Sequence, residues 1–207
     1  HMDLDAIRAA RIEVFDIARE RALIDSFTAT SELAFGLVLS LARHLPPALA
    51  AAREGDWARE RFSGFQLSGK TLGILGLGRL GTISARIGQG FGMRVLAHDI
   101  AAVGAPGVEM VGFEALLEEA DVLTIHVHLT EATRGLIGAA EIARMKPTAL
   151  LINTSRGAIV DEAALLAALS ACRIAGAGLD VIDGEWLAEK RDHPLIAYAR
   201  ENEHLVI

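Results

Sequence analysis

Cysteine is almost absent from this chain. The single Cys172 excludes an internal disulfide and fits a reducing compartment. Long apolar runs are missing too: stretches such as Leu33 to Leu39 and Ala149 to Ile152 fall far below the ~18 residues that read as a bilayer span. The first residues lack the basic segment followed by an apolar one that marks a secretory leader. Positive charge is also scarce. Lys and Arg number 20 against 27 Asp and Glu, a net charge of −7, which argues against nucleic acid or an anionic membrane as a partner. Low-complexity tracts and internal repeats do not occur. These absences describe a chain expected in the cytoplasm.

What is present suffices for a core. Of 207 residues, 52% are hydrophobic and 23% charged, with a further 20 glycines, so intrinsic disorder is excluded. From residue 70 onward, short β-rich runs alternate with amphipathic stretches. Strands are expected at Thr71–Leu75, Met93–Ala97, Val122–Val127 and Ala149–Asn153, within 174–182, and from His204 to Ile207. Helices are expected at Leu80–Phe91 (marked by Leu80, Ile83, Ile87 and Phe91), around Phe113 to Leu117, at Glu141–Met145, and from an Asp161 cap to about Ser170. That alternation predicts an α/β fold, a doubly wound parallel sheet of the Rossmann nucleotide-binding type. Near-continuous apolar strands such as Ala149-Leu150-Leu151-Ile152 suit a sheet covered on both faces.

The first 60 residues read differently. Leu4 to Ala10 is helical, Ile12 to Phe15 could be a strand, and Ser31 to Arg43 is an apolar helix interrupted by Pro46-Pro47 before Ala48 to Arg53. Residues 1–27 are expected to be the remnant of a second, substrate-binding domain, and 28–207 the nucleotide-binding domain.

Gly76-Leu77-Gly78-Arg79-Leu80-Gly81 matches G-x-G-x-x-G. The pattern alone is weak, but here it follows a strand, opens a helix, and precedes Asp99 at the end of the next strand. Gly76 permits the tight turn, Gly78 lets backbone N–H groups approach a pyrophosphate, and Gly81 allows close helix–strand packing. The helix N-terminus offers unpaired donors to the anion. Asp99 can accept hydrogen bonds from ribose hydroxyls and would repel a 2′-phosphate, while Ile100, Ala101 and Ala102 supply no compensating cation. NAD is therefore expected as cofactor, in preference to NADP.

The segment Leu67 to Gly81, the run Asn153-Thr154-Ser155-Arg156-Gly157 with Val160-Asp161, and Gly178-Leu179-Asp180-Val181 with Glu185 together resemble the D-isomer-specific 2-hydroxyacid dehydrogenases, the family that includes D-3-phosphoglycerate dehydrogenase. The resemblance implies an NAD-dependent oxidoreductase interconverting a D-2-hydroxy acid and a 2-keto acid, of D-3-phosphoglycerate or hydroxypyruvate/glyoxylate type. By the same resemblance, Arg156 binds the substrate carboxylate and polarises the carbonyl. Glu185 is the acid that keeps a histidine imidazole protonated. Arg79, Leu80, Val127, Thr154, Ser155 and Asp180 touch NAD, and the protein is a homodimer with Leu33 to Leu41 as a candidate contact.

Two departures accompany the resemblance. Asp183-Gly184-Glu185-Trp186 stands where the family has Glu-x-Glu-Pro, leaving Asp183 as an alternative to Glu185. His128 in His126-Val127-His128 stands where proline is common. The two histidines face one side of a strand end without a third ligand, so surface or cofactor-lining roles are preferred to a metal site. The resemblance also implies that the catalytic histidine lies beyond Ile207, and His193 is not assigned that role. Corepressor-type NAD-sensing proteins share the fold and form the alternative reading. Formate dehydrogenase is a further relative, against which an acid at Glu185 argues.

Overall fold

The computed structural model describes residues 4–10, 21–184 and 192–207. The six apolar runs marked in the sequence become strands of one sheet, which a seventh strand completes: β1 (Thr71–Leu75), β2 (Arg94–His98), β3 (Val108–Met110), β4 (Val122–Ile125), β5 (Leu150–Asn153), β6 (Gly176–Leu179) and β7 (Leu205–Val206). They pair in the order β3-β2-β1-β4-β5-β6-β7, and every pairing is parallel. The order reverses between β1 and β4. A parallel sheet opens a crevice at such a reversal, outside the carboxyl ends of its strands. The Rossmann-type reading therefore holds; β3, short and at the sheet edge, is the strand the sequence pattern did not reveal.

Nine helices lie among the described residues: α1 (Leu4–Ala9), α2 (Arg21–Asp25), α3 (Ala29–Ala42), α4 (Leu45–Arg53), α5 (Arg79–Gly90), α6 (Phe113–Glu119), α7 (Ala139–Arg144), α8 (Glu162–Ser170) and α9 (Pro194–Ala199). Strand side chains alternate between two cores. Leu72, Ile74, Val122 and Ile152 face Ala34, Phe35, Val38 and Ala85 of α3 and α5. Leu96, Leu123, Ile125 and Leu151 face Leu116, Ile142 and Leu165 of α6, α7 and α8. Both faces are covered, which is why the strands carry no polar alternation.

The segment Ile12 to Phe15, read as a possible strand, lies outside the described residues. Two local details differ from the sequence pattern. The break before α4 falls at His44, held in the left-handed region at φ 49°, and Pro46 and Pro47 sit within the first turn of α4. Proline is tolerated there because first-turn N–H groups have no helical partner. Finally, α5 meets the sheet through Gly81, Ile83, Ser84, Ala85 and Gly88; Leu80 and Ile87 are half-buried, and Phe91 is exposed with its ring stacked on Phe35 at 5.6 Å. Small residues bring the helix close, so the buried face is rotated from the one its large apolar residues mark.

The stretch Leu23–Ala42 is long and apolar enough, by length and composition, to cross a membrane. In this fold its Ala34, Phe35, Leu37, Val38, Leu41 and Ala42 are buried in the core beneath the sheet.

Asp121 fastens the start of the central strands. Its Oδ2 accepts the Thr71 N–H at 2.8 Å, its Oδ1 pairs with Lys146 Nζ at 2.9 Å, and its backbone bonds both Thr71 and Leu150. Burial works against its charge, but the Thr71 N–H and Lys146 outweigh burial and hold the carboxyl below the usual carboxylate range. Asp121→Ala is expected to cost about 1–3 kcal/mol, the range for a bonded carboxylate. Urea unfolding followed by circular dichroism measures it, and a midpoint equal to wild type would contradict this role.

Candidate nucleotide and active site

The glycine loop sits where the sheet order reverses, between β1 and α5. Gly76 adopts φ +94°, and a Cβ there would lie 2.8 Å from Val127 Cγ1 and 2.9 Å from the His126 carbonyl. Only glycine fits both demands. Beyond it, the Cβ direction at Gly78 is open, with no atom within 4 Å. At Gly81 a Cβ would overlap the Gly76 carbonyl oxygen. The three glycines thus have separate duties: a turn, an open approach, and helix contact. Gly78 is the N-cap of the 12-residue α5 and contributes no side chain, so the first amides of the helix point out uncapped.

Asp99 follows β2 beside this loop. Its Oδ2 accepts the Leu77 N–H at 2.8 Å and its Oδ1 the Ala101 N–H at 2.8 Å. Two bonds fix the carboxylate's orientation and leave lone pairs for further donors, since a carboxylate offers about four acceptor positions. Arg79, the first residue of α5, donates from Nη1 to the Phe27 carbonyl at 2.6 Å, and Ser31 Oγ donates to the Leu80 carbonyl at 3.1 Å. The side chain of Arg79 is therefore engaged at the entry to α3.

At the end of β5 the backbone turns sharply under the control of Asn153, which is 1% exposed. Its Oδ1 accepts the Ser155 N–H at 3.0 Å and its Nδ2 donates to the Arg156 carbonyl at 2.9 Å. Ser155 Oγ donates to the Ile125 carbonyl at 2.7 Å, joining this turn to the end of β4. Arg156 is exposed, with Nη1 2.6 Å from the Ser155 carbonyl, and most of its guanidinium remains available. Thr154 Oγ1 is buried and has no hydrogen-bond partner. Buried hydroxyls are ordinarily paired, and this one is an exception beside the turn. Asp180 is exposed at the end of β6, with its N–H bonded to the Asn153 carbonyl at 3.0 Å.

The β1, β2, β4, β5 and β6 ends thus bring Gly76, Gly78, Gly81, Asp99, Val127, Thr154, Ser155, Arg156 and Asp180 to one edge. Glu185 lies outside the described residues. Asp183, the alternative acid, is exposed at the start of the loop that leads to it. Uncapped helix amides, an oriented carboxylate, an orphan hydroxyl and the open space at Gly78 fit a dinucleotide. Sequence reasoning passed over Asn153 as a shaping residue, although an amide ending the apolar run Leu150-Leu151-Ile152 was a readable signal.

The two histidines expected to face one side occupy unlike environments. His128 is exposed. Nε2 of His126 lies 3.0 Å from Ser84 Oγ and 3.1 Å from Thr124 Oγ1, and its Nδ1 is buried without a partner. Burial pushes its pKa down to about 4, so the ring is neutral near pH 7.

The geometry defines the class first: a dinucleotide-binding domain of the doubly wound type. The D-isomer specific 2-hydroxyacid dehydrogenase NAD binding domain model matches residues 35–206. The chain belongs to that family and is an NAD-binding domain. It is 46% identical over 168 residues to a glyoxylate reductase of Thermococcus litoralis, covering 76% of this chain and 51% of that protein. It is 40% identical over 176 residues to a D-3-phosphoglycerate dehydrogenase of Methanocaldococcus jannaschii, covering 83% and 33%. Among solved structures, the TT0316 protein of Thermus thermophilus superposes with a TM-score of 0.85 at 38% identity, over 100% of this chain and 63% of that one. The chain spans about half or less of the length of the two curated relatives.

His126 yields a pH dependence with a definite sign. Its folded pKa is about 4 against an ordinary 6.5, so between those values the unfolded chain binds a proton that the folded chain refuses. Stability contributed at this site is present above pH 6.5 and declines as pH falls towards 4, by about 2–4 kcal/mol in all. Subtracting the stability–pH curve of His126→Asn from that of wild type should isolate this slope. Parallel curves would show that the ring is not desolvated.

Proposed function

We propose that this chain is the nucleotide-binding part of an NAD-dependent oxidoreductase interconverting a D-2-hydroxy acid and its 2-keto acid. One observation carries the reading: an exposed arginine on the turn after β5 shares the carboxyl edge of the sheet with the glycine loop and Asp99. In this reading the amides of Gly78 and the first turn of α5 take the pyrophosphate. Asp99 takes ribose hydroxyls and excludes a 2′-phosphate, which selects NAD over NADP. Thr154 and Ser155 line the path along β5, and Asp180 stands at the nicotinamide end. Bound NAD supplies hydride chemistry at its nicotinamide ring.

Arg156 holds the substrate carboxylate and polarises the adjoining carbonyl. A guanidinium suits both tasks because it is always charged and presents a planar fork of donors. Glu185 stabilises the protonated form of a histidine that delivers the proton to the carbonyl oxygen. The relatives' names point to glyoxylate, hydroxypyruvate or 3-phosphohydroxypyruvate as the acid. The family match beginning at residue 35 supports reading residues 1–27 as a remnant of a second domain. A single cysteine and the net charge of −7 support a cytoplasmic protein without nucleic-acid or membrane partners.

The intact protein carrying this domain should oxidise NADH with at least one of phosphohydroxypyruvate, hydroxypyruvate, glyoxylate and pyruvate. Arg156→Ala should lower kcat/KM about 10²–10³-fold, the loss seen on removing one charge-stabilising donor. Tight NADH binding without turnover on any acid would make the protein an NAD-sensing binding protein instead.

We also propose that the protein is a homodimer. The expected contact, Leu33 to Leu41, is largely consumed by the core, whereas Leu45, Leu49 and Trp57 on and after α4 stay exposed, Trp57 by 78%. Exposed apolar side chains of this size support pairing through this part of the surface. Light scattering should give twice the chain mass, and Trp57→Glu should halve it; a monomeric wild type would refute the proposal.

A further inference from the structure

We propose that His126 is a positioning residue that sets the glycine loop and the start of α5 for a pyrophosphate from the core side, through Ser84 and Thr124. The inference rests on the reading above that the amides of Gly78 and the first turn of α5 take that group. Val122, Thr124 and His126 follow one another on a single face of β4 and its continuation, because side chains alternate along a strand. Val122 packs with Ala85 of α5 on that face, which turns from apolar to polar towards its carboxyl end. Nε2 of His126 lies 3.0 Å from Ser84 Oγ and 3.1 Å from Thr124 Oγ1, and neither Ser84 nor Thr124 is more than 1% exposed. Nδ1 has no partner among the described residues, so the ring is held by its polar edge at Nε2 alone.

The same residue supports the loop with its backbone. Its N–H donates to the Leu75 carbonyl at 2.7 Å, and its own carbonyl oxygen lies 2.9 Å from where a Cβ on Gly76 would stand. Ser84 shares the buried face of α5 with Gly81, one turn earlier, which rests on the Gly76 carbonyl. His126 is thus joined to both sides of the contact between turn and helix, to the turn by its backbone and to the helix by its ring. A helical serine can spend its hydroxyl on the carbonyl four residues back. For Ser84 that carbonyl is Leu80, which already accepts Ser31 Oγ at 3.1 Å, and the Ser84 hydroxyl meets the ring instead. Burial keeps the ring neutral, with one N–H and one lone pair, and a hydroxyl can answer either. Polar side chains in an apolar layer cost free energy unless they pair with one another. What this trio adds over apolar packing is direction: a hydrogen bond weakens steeply when bent, so it resists a slip of α5 along the sheet. Amides aimed at a pyrophosphate need that precision, because donors set in advance lose less on binding.

NADH binding by this chain, followed by fluorescence of the bound coenzyme, tests the role. Each variant is titrated at a temperature where circular dichroism shows it fully folded, so a loss of stability alone leaves Kd unchanged. His126→Leu should raise Kd roughly tenfold, the scale of one buried hydrogen bond lost with its partners left unpaired. His126→Gln should restore most of the affinity, because a glutamine amide nitrogen can stand where Nε2 stood and still meet a hydroxyl. A leucine variant as tight as wild type, or a glutamine variant as weak as the leucine one, would overturn the role.

Should His126→Leu fail to fold, Ser84→Ala decides the matter alone. It removes the tie to the helix without emptying the core, and should raise Kd roughly three- to tenfold; an unaltered Kd would refute the positioning role. Where both single variants fold, their combination should bind little worse than His126→Leu, since two residues acting through one bond are not additive. Fully additive losses would show that they act separately and would count against it. Gly78→Val separates the inference from the reading beneath it, because its side chain would fill the open approach to the amides. NADH weakened by Gly78→Val but by neither His126→Leu nor Ser84→Ala removes the role of His126 and leaves the pyrophosphate reading standing. NADH weakened by none of the three brings down both.

Discussion

The contact between Gly81 and the Gly76 carbonyl is the constraint on which the carboxyl edge of the sheet depends. It sets how close the start of α5 lies to the turn leaving β1, and hence where the uncapped amides of that helix point. Any side chain at position 81 would lift the helix and carry the amides with it. Leu77 and Asp99 are bound to the same arrangement, since the Leu77 N–H that fixes the carboxylate belongs to the loop. Ser84 and His126 extend it to β4. A gap narrower than one methyl group therefore governs this edge of the sheet from the amides of α5 to the Asp99 carboxylate.

Around the Arg156 turn the same economy is reached with polar side chains. Asn153 uses its acceptor and its donor within three residues, Ser155 reaches across to β4, and Gly157 admits the chain where Ile182 and Asp183 cross the turn. Arg156 is left as the one long side chain of the turn that reaches solvent. Rigid backbone beneath an exposed guanidinium suits the carboxylate-binding role proposed for Arg156, because orientation fixed in advance is not lost on binding.

Much of this was legible in the sequence, and particular residues show why. Thr71–Leu75 is a strand with the bounds its apolar run suggested, because a strand buried on both faces has little reason to be polar. Asp161 caps α8 as its side chain and position implied. The edge strand Val108–Met110 was illegible: three residues with one exposed face need no apolar signature. The buried face of α5 leaves little trace in the sequence because glycine, serine and alanine make most of the contact, and periodicity weighs large residues more heavily. The tie from Ser84 to His126 escaped notice because a serine within a helix is ordinary, and the histidine lies 42 positions away. Pairings of that kind are properties of the fold rather than of any local pattern.

The bonds from Arg79 to the Phe27 carbonyl and from Ser31 to the Leu80 carbonyl have a mechanical meaning. Both join the entry of α3 to the first turn of α5, at its glycine-loop end. A load on the chain ahead of Phe27 is therefore shared between the covalent path into α3 and these two cross-ties, which deliver it to the first turn of α5. Stiffness measured at the start of α3 would report on the glycine-loop end of the domain without any probe placed there.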